Sequence, residues 1–180
     1  MERYAAFLRG MNVGGHRITN EELRTICTEI GLMDAACFRA SGNVVFAAEP
    51  REAADVGDEI EQGLSSRLGY PVPVFVRTRA QVLAIAAHRP FGAESLQASA
   101  GKPQVALLGA PPSAAARRRI TQMAGERDEV AFGPLEMHWL PHAGTLDSTL
   151  DMAAIESVLG PMTMRTAGTV QALAGKHLAA

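Results

Sequence analysis

The chain has 180 residues and a mass of 19.1 kDa, 47% hydrophobic and 20% charged, the balance of a globular protein able to bury a core without disulfide or metal staples. Seventeen basic against nineteen acidic residues leave a formal net charge of −2, so no global field holds a polyanion, and nucleic acid is excluded as a partner except at a local patch. Two cysteines outside any CxxC spacing argue against a thiol zinc site and a disulfide framework and suit a reducing compartment, while the opening MERYAAFLRG and the absence of any run near ~20 apolar residues give the expectation of a cytoplasmic protein without a leader or membrane span.

Tyr4 to Leu8 is a short apolar run followed by the glycine-rich stretch Gly10 to Gly15, which reads as a strand and a loop. A capping box at Thr19 and Glu22 starts a helix that buries Leu23, Ile26, Cys27 and Ile30 on one face, and Gly31 stops it. Ala36 to Ala40 and Val44 to Ala48 form a hairpin across Ser41-Gly42-Asn43. Val56, Ile60, Leu64 and Leu68 mark a second helix ended by Gly69 and Pro71. Val72, Val74 and Val76 alternate as a fourth strand, and Thr78 with Gln81 caps a third helix to about Ala87.

The segment from Arg89 to Pro103 has proline, glycine and serine without apolar periodicity and reads as a linker. The order then repeats. Gln104 to Leu108 is a strand, Ser113 caps a helix burying Ala116, Ile120 and Met123, and Val130 to Phe132 and Leu135 to Leu140 flank a Gly133-Pro134 turn. Ser148 and Asp151 read as the capping box of a helix through Leu159, Met162 to Arg165 is a last strand, and Val170, Leu173, Ala174 and Leu178 stripe a last helix. Each half therefore reads β-α-β-β-α-β plus one helix. The expected fold is α+β, a tandem duplication of ferredoxin-like units, with residues 1–88 as the first unit, 89–103 as the linker and 104–180 as the second.

The opening FLRGMNVGGHRI, the later SGNVVF and the overall length resemble the bacterial family of proteins of unknown function, DUF1697, whose members open with a leucine-arginine-glycine-isoleucine-asparagine-valine-glycine-glycine motif. Leu8, Arg9, Gly10, Asn12, Val13, Gly14 and Gly15 match, with Met11 in place of isoleucine, and Ala40 stands in the hairpin where glutamine is common. The second half departs further. Asp147-Ser148-Thr149 replaces arginine-serine-lysine, and of an arginine-asparagine-tryptophan-asparagine-threonine-valine segment only Arg165, Thr169 and Val170 remain. The resemblance implies a duplicated ferredoxin-like fold and supplies no activity.

The residues point to an anion site. In the expected topology the loop after the first strand and the hairpin turn share one sheet end, where glycines let backbone N–H groups converge and a helix N-terminus adds donors and a positive dipole end. Arg9, Asn12, Gly14, Gly15, Arg17 and Asn43 are the expected ligands of a phosphate or carboxylate, with His16 nearby. The loop matches neither a P-loop nor the full dinucleotide fingerprint. A weaker cluster of His142, Thr145, Ser148 and Arg165 is expected at one end of the second unit, with Ser148 equally explained as an N-cap and Asp147 opposing an anion. Cys27 reads as an inert buried thiol. Arg117, Arg118 and Arg119 read as a solvated helix face. His138 shares a face with Glu136 and reads as solvated or on an open sheet face. No metal site is expected, because the five histidines never fall at HxH or HxxxH spacing. No cofactor is expected, no nucleophile and base pair is evident, and the activity stays open. The alternative function is a protein- or RNA-interaction module using open sheet faces, although the third strand offers such a face only Phe46.

Overall fold

The computed structural model describes residues 1–11, 18–39, 42–125 and 128–179. Within them the chain is a mixed α+β protein with two four-stranded antiparallel sheets. The first half forms β1 (Glu2–Leu8), α1 (Asn20–Glu29), β2 (Met33–Cys37), β3 (Asn43–Ala48), α2 (Ala53–Leu68), β4 (Val74–Thr78) and α3 (Arg79–Ala87). Its sheet order is β2-β3-β1-β4. Strand alternation places Tyr4, Ala6 and Leu8 of β1 on the face that packs with Leu23 and Cys27 of α1 and Val56, Ile60 and Leu64 of α2. Burying each of the large aliphatic chains contributes about 1.5–3 kcal/mol. The expected capping box is present: Thr19 N–H donates to Glu22 Oε2 at 2.7 Å and Glu22 N–H to Thr19 Oγ1 at 3.2 Å.

The second half forms α4 (Ala93–Ala98), β5 (Gln104–Leu108), α5 (Ala114–Ala124), β6 (Glu129–Phe132), β7 (Glu136–Leu140), α6 (Met152–Leu159), β8 (Met162–Thr166) and α7 (Ala167–His177), with sheet order β6-β7-β5-β8. The two sheets repeat the same ties. At the end of β1, Leu8 N–H donates to Gly42 O and Arg9 N–H to Pro73 O. At the end of β5, Leu108 N–H donates to Leu135 O and Gly109 N–H to Pro161 O. Both last strands end in Arg-Thr and run straight into a helix, where Thr78 accepts from Gln81 N–H and Thr166 from Thr169 N–H.

Three elements differ from the sequence reading. β2 lies at Met33–Cys37 rather than from Ala36 to Ala40, because Phe38 N–H bonds to Asn43 O and Asn43 Nδ2 bonds back to Phe38 O, closing the hairpin at Phe38. Arg39 then takes a positive φ of 58°. The expected linker contains α4, too short to show periodicity, whose end is anchored by Ser99 Oγ donating to Pro141 O and Ala100 N–H to His142 O. Ser148 is not a helix cap. Asp151 is, accepting from Ala154 N–H at 3.0 Å.

The compact units also depart from the chain halves. One comprises Met1–Leu83 with Leu173–Ala180, and the other Ala84–Ala172. No helix among the described residues is long and apolar enough to cross a membrane.

Candidate functional site

The expected anion site lies where β1 ends. Asn12, Gly14, Gly15 and Arg17, with His16, lie outside the described residues. Around them the frame is defined: Leu8 N–H reaches Gly42 O at 2.7 Å, so the β2–β3 turn does sit beside the chain leaving β1. Gly42 has φ +66°, and a Cβ there would meet Leu8 and buried Met11 within 3.1–3.3 Å, so any other residue there is both strained and crowded. Arg9 is half-buried on leaving this strand. Asn43 is fully buried and spends its amide N–H on Phe38 O, which makes it the clasp of the hairpin. The N-terminus of α1 offers less than expected, because the Glu22 carboxylate already occupies it and burial-free hydrogen bonding to Thr19 holds that carboxyl below its ordinary value.

Sequence reasoning missed the cations that converge on this end. The guanidinium of Arg39 lies 5.3 Å from the centre of the Phe38 ring, and the ammonium of Lys176, from the end of α7, lies 5.9 Å from the same centre. His177 meets that ring edge-on at 5.6 Å, and burial together with the charges of Lys176 and Arg3 holds its pKa below the usual histidine range.

The weaker cluster does not assemble. Ser148 Oγ and His142 N–H both donate to the buried carboxylate of Asp128, which also accepts from Trp139 Nε1 at 3.2 Å. Arg165 lies elsewhere: Met162 and Met164 of β8 join the helix-covered core, so alternation turns Arg165 to the other face. There its guanidinium donates to Thr163 Oγ1 and Met164 O, and burial pushes its pKa down to about 10. Thr145 is exposed in the loop before α6.

On that same second face the structure gathers groups that linear spacing does not connect. Val105 is paired with His138 on one side and Arg165 on the other, and Leu107 with Glu136 and Thr163. His138 and Glu136 are 3% and 5% exposed, which corrects the expectation of a solvated histidine. His88, just beyond α3, brings Nδ1 to 3.2 Å from His138 Nε2, with the rings nearly perpendicular. His138 Nε2 is 4.0 Å from Glu136 Oε1, and one donor atom from each of the three residues lies within 4.8 Å of the others. Burial, with the neighbouring His88, pushes the His138 pKa down to about 4, so this ring is neutral at pH 7. The expectation that no metal-ligand set forms is corrected in its premise, since ligands can come from positions 50 residues apart. Arg117, expected to be solvated, lies over Phe132 and donates to Gly133 O at 3.0 Å, whereas Arg118 and Arg119 are exposed.

The interaction-module alternative needs an open sheet face. Phe46 instead stacks on Tyr4 inside the helix-covered core, 5.7 Å between centroids, and on the opposite face Ala5, Phe7, Val45 and Phe75 are buried, as are Val105 and Leu107. Among the described residues, a cavity of about 790 Å³ carries Arg24 beside Glu29 and Asp34, and two others are acidic. One of about 570 Å³ carries Glu21, Glu22 and Glu29, and one of about 270 Å³ carries Glu94 and Glu129.

Comparison with known proteins adds a family and a fold. The family model described as "Protein of unknown function (DUF1697)" matches residues 1–137. No curated protein matches. Among solved structures, the chain is similar to the conserved bacterial protein SP0830 from Streptococcus pneumoniae, with a TM-score of 0.69 at 18% identity over 97% of each chain.

Proposed function

The chain belongs to the DUF1697 family of proteins of unknown function, and from the geometry of its own residues we propose that it binds a small anionic group, a phosphate or carboxylate, where the glycine-rich segment leaves β1. The finer reading of each unit as ferredoxin-like is supported by the orders β2-β3-β1-β4 and β6-β7-β5-β8 with two helices packed on one face of each sheet.

One observation carries the functional reading: two cations, Arg39 and Lys176, sit over a single ring at the turn that is tied to the end of β1. The ring attracts each cation by about 0.5–1 kcal/mol at an exposed site. An anion reached by these cations and Arg9 gains charge-assisted hydrogen bonds of about 1.5–3 kcal/mol each. Asn12, Gly14, Gly15 and Arg17 enter as the sequence-based part of the site, and Asn43 as the clasp that orients the turn.

The test is calorimetric titration and thermal shift with inorganic phosphate, sugar phosphates, mononucleotides and small carboxylates. A ligand at 100 times its Kd raises stability by about 2.7 kcal/mol. Arg9→Ala, Arg39→Ala and Lys176→Ala are each expected to weaken binding, and added salt to weaken it further. A folded wild type that binds nothing across the panel refutes the reading.

A further inference from the structure

We propose that His88, Glu136 and His138 form a site for one divalent transition-metal ion of the Zn2+ class, with its remaining position open to water. Two imidazole nitrogens and a carboxylate oxygen are the donor set such an ion takes, and three protein ligands leave the fourth tetrahedral position free. At metal–nitrogen distances of about 2.0–2.1 Å, tetrahedral ligand atoms stand roughly 3.4 Å apart. The observed 3.2 Å between His88 Nδ1 and His138 Nε2 already fits, and the 4.0 Å from His138 Nε2 to Glu136 Oε1 needs a contraction of about half an ångström. That contraction falls to the Glu136 and His138 side chains, while His88, exposed and beyond the end of α3, can adjust its own distance to both. Without an ion one ring donates an N–H to the other, and uptake of the ion needs that proton on the donor ring's other nitrogen, so that both facing nitrogens present lone pairs.

The surroundings are those of a prepared carboxylate. Leu135 N–H donates to Glu136 Oε2 at 3.1 Å, fixing that oxygen and leaving Oε1 toward His138. Gly133 is the residue that makes room: a Cβ there would collide with the Glu136 carboxylate. Glu136 is buried, and its Oε1 lies 4.0 Å from His138 Nε2. A metal ion seated against this buried carboxylate offsets the cost of burying its charge.

The experiment uses the full chain without a histidine tag, stripped by chelator, and titrated with Zn2+ by calorimetry and with Co2+ by its ligand-field absorption. We expect one ion per chain, a rise of several degrees in the unfolding midpoint at saturation, and four-coordinate Co2+ bands. His88→Gln, at an exposed position that leaves the fold intact, should weaken Zn2+ at least tenfold and remove those bands. Glu136→Gln should do the same, and Gly133→Ala should reproduce its effect by displacing the carboxylate. His142→Gln, outside the cluster, should change nothing. No saturable one-to-one uptake of either ion, or uptake undiminished in His88→Gln, overturns the proposal.

Discussion

Asp128→Ala should cost the second unit about 2–5 kcal/mol. The Asp128 carboxylate is buried and accepts three hydrogen bonds, from Trp139 Nε1, His142 N–H and Ser148 Oγ. Removing it leaves the indole N–H of Trp139, 2% exposed, without a partner, and an orphaned buried donor costs about 1–3 kcal/mol. His142 is exposed and Ser148 half-buried, so each can turn to water, and each loses only about 0.5–1 kcal/mol. For a chain of this length that sum corresponds to roughly 4–20 °C in the unfolding midpoint. Trp139 is the chain's single tryptophan, so its fluorescence during urea unfolding reads the affected unit directly. Asp128→Asn keeps one acceptor oxygen and should lose about half as much. Trp139→Phe made in the Asp128→Ala background should cost less than in the wild type, by about 1–2 kcal/mol, because the orphaned donor is removed with the ring. A loss below about 1 kcal/mol for Asp128→Ala, or strict additivity in that cycle, would refute the account of Asp128 as the tie between β6, β7 and the loop before α6.

Cys27 is a buried thiol pushed up to about 12 from an ordinary 9, chiefly by burial. Its folded state holds the proton longer than the unfolded chain does, so stability should fall by about 1.4 kcal/mol per pH unit as pH rises above 9, and Cys27→Ala should lose that slope in pH-dependent urea titrations. Glu22 is shifted the other way by its hydrogen bonds with Thr19. Its contribution is present above pH 4.5 and disappears as pH falls through the lower folded value, so Glu22→Gln should flatten the midpoint between pH 5 and 3. Gly42→Ala meets both a φ of +66° and contacts of 3.1–3.3 Å with Leu8 and Met11, and should cost about 1–3 kcal/mol by thermal melting. Gly31→Ala, also at positive φ but in open space, should cost only the backbone strain of about 1 kcal/mol.

The sequence determined most of the local structure. Capping chemistry placed α1 at Thr19 and Glu22 and α3 at Thr78 and Gln81, and period-two and period-3.6 stripes identified which of Tyr4, Leu23, Cys27, Ile60 and Leu173 are buried. It also paired His138 with Glu136 on one strand face. It misjudged Ser148, since Ser-x-x-Asp reads as a capping box whether the serine faces its own helix or a carboxylate 20 residues earlier. It could not show that Phe38 would gather Arg39 and Lys176, or that His88 would stand over His138. Periodicity records which side of an element turns inward; it carries no information on which distant residue arrives opposite. The unit grouping Leu173–Ala180 with Met1–Leu83 is of the same kind. Those meetings are settled by how the packed faces fit, and it is there that the cation pair around Phe38 and the histidine–carboxylate cluster are made.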